Sequence, residues 1–363
     1  MQTHATARQA QQPLMHHAAP RRLGRTELWM PTLGLGGAAI GNLHGAVAPE
    51  VAAGVLDDGW ASGVRYFDTA PLYGRGLGEL RVGAALRERA RDSYVLSTKV
   101  GWCATPLQRD EASRATPPSS LSSSLPSSLP SSLPLALHCD YSREGTLRSV
   151  EDSLQRLGLE RIDALFVHDV DPYNHGAAYP QRLRAVLEGA LPALHELRRA
   201  GLVRAIGVAV NSCEVCLDVL REASVDAFLL AGRYTLLDRS ASERLLPECG
   251  RRGVGVIVGA PFNSGVLASG VTAQTRYNYR PLQADIAARV QRLRAACGRH
   301  GVSLLAAALQ FPLTHPSVAA VLPGPRTPGQ WQGIRAAFDE AIPEALWSEL
   351  AHAAGDEGER HAD

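Results

Sequence analysis

Short apolar runs alternate with longer amphipathic stretches along most of the chain, and this alternation predicts its elements. Residues 31–36, 64–68, 94–99, 162–168, 203–208, 227–231, 254–258 and 318–322 are near-continuous apolar runs, the mark of strands buried on both faces. Residues 49–62, 78–90, 146–157, 181–200, 213–223, 240–252, 284–300, 304–313 and the segment after Pro328 read as helices. Gly63, Gly158 and Gly201 stand where three of these helices should stop. Eight strand–helix units imply an α/β fold, a (β/α)8 TIM barrel, with an open doubly wound sheet as the competitor. Residues 21–33 read as an N-terminal hairpin turning at Gly24-Arg25, and helices beyond the last strand are additions at the C-terminus.

Three segments lie outside this pattern, leaving 21–355 as the barrel domain. Residues 1–20 are rich in Gln, His and Ala without the apolar core of a signal peptide, and read as a disordered leader. Residues 105–136 carry Ser-Ser-Leu-Pro in tandem at 123–126, 127–130 and 131–134. Proline at every fourth position forbids helix and sheet interior alike, so this stretch is expected to be a disordered insert after the third strand. Residues 356–363 form a polar tail.

Composition narrows the function more than it alters the fold. Net charge is +1 and the arginines are scattered, so neither a nucleic-acid stripe nor a membrane-binding face is expected, and the partner is a small molecule. No apolar run approaches the roughly 20 residues of a membrane span. The six cysteines are dispersed, and Cys213-x-x-Cys216 lacks a second pair at zinc spacing, so no metal is expected and the compartment is the cytoplasm. One count stands out: Lys99 is the single lysine among thirty-six arginines. Arginine stays protonated and planar, whereas lysine offers a compact, tunable ammonium.

Lys99 closes an apolar run, and three more polar groups stand at or just past strand ends: Asp68, Tyr73 and His168. Barrel chemistry is done at that rim. A tyrosine with its ordinary pKa near 10 is a poor acid or base at neutral pH, but an adjacent ammonium favours the tyrosinate. A carboxylate can hold that ammonium, and an imidazole can bond the reacting oxygen. The set suits proton transfer coupled to a change at a carbonyl or carbinol carbon. Gly34-Leu-Gly36-Gly37-Ala38-Ala39 matches a dinucleotide fingerprint only superficially, because Gly41, Gly45 and Pro49 delay the required helix.

The stretches around Asp68, Tyr73, Lys99 and His168 resemble the aldo-keto reductases. Asp140-Tyr-Ser-Arg143, Arg148-Ser-Val-Glu-Asp-Ser-Leu154, Leu229-Leu-Ala-Gly-Arg-Tyr-Thr-Leu-Leu237 and Pro261-Phe-Asn-Ser-Gly-Val-Leu267 are similar to the L-fucose / D-threo-aldose 1-dehydrogenase subgroup. The resemblance implies a barrel that binds NAD or NADP, with Tyr73 as acid/base, Lys99 and Asp68 supporting it, and His168 orienting the substrate oxygen. It implies oxidation of the anomeric hydroxyl of an aldose to a lactone. Pyridoxal oxidation or general carbonyl reduction are the alternatives within the family. A Schiff-base aldolase using Lys99, or a non-catalytic cofactor-binding subunit, are the alternatives outside it.

Carried over by position, cofactor contacts fall on Gly36, Asn211, Tyr234, Phe262, Ser264, Leu267, Gly324, Arg326 and Thr327. A sugar pocket needs groups that bond hydroxyls, and Trp102, Asp140, Tyr141, Asp169 and Arg233 are the substrate-binding candidates. Arg326 can pair with a 2′-phosphate. The chain departs from the family pattern at Ala209-Val210, Ala231, Gly259 and Ile334, where contacts to the cofactor's nicotinamide and adenine ends are usual.

Overall fold

The structure, a computed structural model, describes residues 19–43, 45–106, 132–271, 275–278 and 280–353. The leader up to residue 18, the centre of the insert (107–131) and the tail lie outside the described residues. Eight parallel strands follow one another in chain order: β1 (Leu35–Gly36), β2 (Tyr66–Asp68), β3 (Val95–Val100), β4 (Ala164–His168), β5 (Ala205–Val210), β6 (Ala227–Ala231), β7 (Gly255–Gly259) and β8 (Val318–Leu322). Leu33 bridges Val321 in parallel, and the Gly36 N–H donates to Pro323 O at 2.9 Å, which closes the ring. The open doubly wound sheet is thereby excluded.

Strand alternation sorts the side chains into two cores. Tyr66, Val95, Phe166, Ala209, Leu229 and Leu322 fill the barrel axis, while Phe67, Leu96, Leu165, Ile206 and Phe228 face the helices. The N-terminal hairpin pairs Arg21–Arg22 with Trp29–Met30 and plugs the lower end with Leu23, Leu28 and Met30. The polar residues at the opposite end are therefore the ones open to chemistry. Helices α1 (Pro49–Ala61), α2 (Leu77–Leu86) and α3 (Arg143–Leu157) follow the first three strands. Gly83 lets α2 touch the end of α3, for a β-carbon there would fall 2.0 Å from Leu157 O. Buried Glu79 of α2 accepts from Arg156 Nε (2.6 Å) and Thr98 Oγ1 (2.7 Å), joining both helices to the outer face of β3.

Three expectations need correction. Residues at both ends of the 105–136 insert are ordered, because Trp102–Pro106 pairs antiparallel with Leu135–Cys139 as a hairpin rising beside the mouth. The single helix expected over 181–200 is Tyr179–Ala185 and Leu191–Arg199 joined by a wide π turn, Val186–Ala190. Pro192 supplies no N–H and crowds the carbonyl four residues back, and the wide turn absorbs both effects. The helix expected from 240 starts at Leu245, since Ser240 bonds Asp238 Oδ1 through its N–H and hydroxyl instead.

Candidate active site

The four polar groups read from strand ends meet at the upper mouth. On β3, Val95, Ser97 and Lys99 point to the axis while Leu96, Thr98 and Val100 point outward, so the alternation that buries the strand also aims the lysine inward. Lys99 is 1% exposed, with its Nζ donating to Asp68 Oδ2 at 2.7 Å and to Thr69 O at 2.8 Å. The other carboxylate oxygen of Asp68 accepts from Ser97 Oγ at 2.6 Å, and Ser97 Oγ lies 3.0 Å from the Tyr66 hydroxyl. Tyr66 and Ser97 thus orient the carboxylate that holds the ammonium. The sequence reading missed both, although position 97 shares the inward face of 99.

Tyr73 opens a short turn after β2, Tyr73–Gly76. The Lys99 ammonium stands 4.8 Å from the centroid of its ring. The His168 ring meets the same tyrosine edge-on at 5.9 Å. Burial, reinforced by Lys99, holds the His168 imidazole well below its usual pKa, so the ring is neutral. A neutral imidazole can bond a hydroxyl or carbonyl oxygen without adding charge. The Trp102 ring packs with Ala70, Leu72 and Tyr73 as an apolar wall, and its buried indole N–H has no partner among the described residues.

Main-chain positioning of His168 comes from behind the strand. The Tyr141 hydroxyl donates to His168 O at 2.7 Å and lies 3.1 Å from His175 Nε2. The His175 ring in turn stacks on Trp102. No periodicity marked His175; its role follows from tertiary contact alone. Asp169, next along the chain, adopts φ +54° and brings its carboxyl to 3.6 Å from His168 Nε2. Burial and Asp171 push this carboxyl up to about 8, against the opposing pull of Lys99.

Several candidates are placed away from this cluster. Asp140 accepts from Ser142 N–H at 3.0 Å and packs against Gly145, so it shapes the start of α3 rather than the pocket. Tyr141 is 1% exposed and acts through His168 O. Arg233 donates to Asn211 O at 2.6 Å and Asp238 Oδ2 at 2.8 Å, tying the loops after β5 and β6 together. The Tyr234 ring is buried against Phe311 at 5.0 Å, and the Leu267 side chain belongs to the outer core. Ile334, at a departure from the family pattern, is likewise a core residue.

A second group flanks the mouth. The loop after β7 carries left-handed Asn263, Ser264 and Gly265, with Asn263 Oδ1 buried and without a hydrogen-bond partner among the described residues. Gly324 follows β8, and Thr327 caps the helix Pro328–Asp339 by accepting from Gln330 N–H. Arg326 reaches back to Ala46 O at 3.2 Å.

The sequence pattern of the aldo/keto reductase family matches residues 32–354. The chain belongs to the aldo/keto reductase family. Among its relatives, pyridoxal 4-dehydrogenase of Microbacterium luteolum is 40% identical over 91% of this chain and 96% of its own length. D-threo-aldose 1-dehydrogenase of a Pseudomonas species is 38% identical, covering 90% of this chain and 94% of that one. An aldo-keto reductase of Bacillus halodurans superposes with TM-score 0.68 at 23% identity, over 93% and 96% of the two chains, which carries the fold. The aldo-keto reductase barrel found here therefore places Asp68, Tyr73, Lys99 and His168 in one cluster at its mouth.

Proposed function

We propose that this oxidoreductase oxidises the hydroxyl of a cyclic hemiacetal to a lactone, with an aldose such as L-fucose as substrate and NAD or NADP as cofactor. The observation that carries this reading is the ammonium of Lys99, fixed by two acceptors and set 4.8 Å from the Tyr73 ring. A cation there favours negative charge on the phenol oxygen. Tyr73, as the phenolate, takes the proton from the substrate hydroxyl, while the His168 ring nitrogen bonds the same oxygen and orients it. Bound nicotinamide supplies the acceptor for the hydride leaving the anomeric carbon. Read in reverse, Tyr73 returns the proton to the oxygen of a carbonyl. The Lys99 Nζ donates to Asp68 Oδ2 and Thr69 O, and this anchoring disfavours a Schiff base, which needs a free amine to attack a carbonyl.

The loops beside the mouth suit a dinucleotide. Gly36 keeps their floor open, since a β-carbon there would stand 3.3 Å from Pro323 O, and Asn263 Oδ1 is a buried acceptor with no partner among the described residues. Phe262, Ser264 and the main chain at Leu267 would hold the pyrophosphate, and Asn211 the nicotinamide side. Gly324, Arg326 and Thr327 would hold the adenosine end, where a twelve-residue helix N-terminus favours anions. All six cysteines are free thiols, which supports a reducing compartment, the cytoplasm.

A second reading, oxidation of pyridoxal to its lactone, is favoured by the relative at 40% identity. Lactone and reduced cofactor are measured with L-fucose and with pyridoxal, each with NAD⁺ and NADP⁺. Lactone from fucose supports the first reading, and lactone from pyridoxal alone moves the protein to the second. No lactone from either refutes hemiacetal oxidation.

A further inference from the structure

The conformation of Asp169 is costly and well held. A left-handed backbone is uncommon for a non-glycine residue and costs about 1 kcal/mol or more. At φ +54°, Asp169 keeps it because both polar ends of the preceding peptide are fixed. The carbonyl of that peptide, His168 O, accepts from the Tyr141 hydroxyl at 2.7 Å, and its N–H, on Asp169, donates to Ala209 O at 3.0 Å. Two residues on, Asp171 accepts from Asn174 N–H at 2.8 Å and starts a short helical turn. Asp171 thus serves the capping role that Asp169 would otherwise be assigned. Strain over-determined in this way clusters at functional sites.

The strained turn brings the Asp169 carboxyl beside His168 Nε2, the ring nitrogen that the proposed function turns to the reacting oxygen. Among the described residues, the one ionisable partner within ion-pair reach is His168 Nε2, at 3.6 Å, too far for a hydrogen bond. The side chain keeps 21% of its surface exposed, so it is not sealed into the core. An imidazole and a carboxyl side by side are spaced to take two neighbouring oxygens of one molecule.

We propose that Asp169 selects substrates bearing a hydroxyl on the carbon next to the reacting one, by bonding that hydroxyl with its carboxyl while His168 bonds the reacting oxygen. This rests on the reading of Tyr73 and His168 as the groups that handle the reacting oxygen. It extends to any α-hydroxy carbonyl and its hemiacetal, whichever aldose the protein meets, and not to pyridoxal, whose carbon next to the reacting one bears no hydroxyl. A site built to bond a hydroxyl rejects the analogue lacking it, because its own polar group is then left without a partner.

The test compares lactaldehyde, which carries the adjacent hydroxyl, with propanal, which does not, in the reductive direction with reduced nicotinamide cofactor. The readout is the ratio of the two kcat/KM values, in the wild type and in Asp169→Asn and Asp169→Ala. The wild type is expected to prefer lactaldehyde, and Asp169→Ala to shrink the ratio by about tenfold or more, the scale of a lost hydrogen bond to a carboxyl. Asp169→Asn keeps the shape and one acceptor and is expected to fall between. A ratio unchanged in both variants, or a wild type without preference, overturns the assignment. Failure of the lactone reading would show separately, as absent lactone from sugar or pyridoxal while lactaldehyde is still reduced.

Discussion

Replacing Lys99 with methionine removes the ammonium but leaves a side chain of similar length. Two losses follow, and the structure sizes each. A unit charge 4.8 Å from the Tyr73 ring, at an effective dielectric of about 20, is worth about 3 kcal/mol to a tyrosinate. That is about two powers of ten in kcat/KM. The second loss is stability. Asp68 is 3% exposed, and without Lys99 its carboxylate keeps the Ser97 hydroxyl as its remaining side-chain donor. Breaking a buried ion pair by deleting one partner costs about 3–5 kcal/mol. The double variant Asp68→Asn/Lys99→Met removes the stranded charge and is expected to recover much of the stability and none of the rate. Urea denaturation and steady-state kinetics on the same preparations separate the two. Turnover of Lys99→Met equal to wild type, or a double variant that regains rate together with stability, would refute the electrostatic argument.

Two more predictions follow from the mouth. Asp169, pushed up to about 8 by burial and Asp171 against the pull of Lys99, and facing the neutral His168, keeps its proton in the native state after the unfolded chain has released it. The stability contributed by Asp169 therefore falls as pH rises from about 4 to about 8, and Asp169→Asn should gain on wild type across that window. Denaturation of both proteins at about pH 5 and about pH 8 checks this, and a pH-independent difference contradicts it. Arg326 stands beside the N-terminus of the helix Pro328–Asp339. Arg326→Ala should weaken NADP⁺ binding by about tenfold more than NAD⁺ binding, the scale of one charge-assisted hydrogen bond to phosphate, as read by cofactor titration. Equal losses for both cofactors would remove Arg326 from that role.

The barrel was legible because strands buried on both faces leave little room for polar residues. Asp68, Lys99 and His168 stood out for that reason: each ends an apolar run with a group the interior tolerates only when paired. The partner of Lys99 could be read as well, since a lone ammonium at that rim demands a carboxylate. Contacts made across elements left no such trace. Tyr66 and Ser97 look like ordinary strand residues until β2 and β3 are placed side by side, and His175 gains a role only where its turn meets Tyr141 and Trp102. Asp140 and Tyr141 were read as substrate candidates because a polar loop after a barrel strand carries the same composition whether it faces a ligand or caps a helix; the structure adds the bonds that hold them, to Ser142 N–H and to His168 O. The hairpin Trp102–Pro106 with Leu135–Cys139 was hidden by the Ser-Leu-Pro copies between its arms. The π turn at Val186–Ala190 depends on how one proline crowds one carbonyl.

In the proposed mechanism Tyr73 moves the proton while Lys99 supports its charge. The most direct test is the rate of reduced-nicotinamide formation by Tyr73→Phe and wild type on whichever hemiacetal the wild type oxidises. A fall of at least about 10²–10⁴-fold is expected, the contribution of general acid–base catalysis, with cofactor binding retained. Turnover by Tyr73→Phe at the wild-type rate would contradict it.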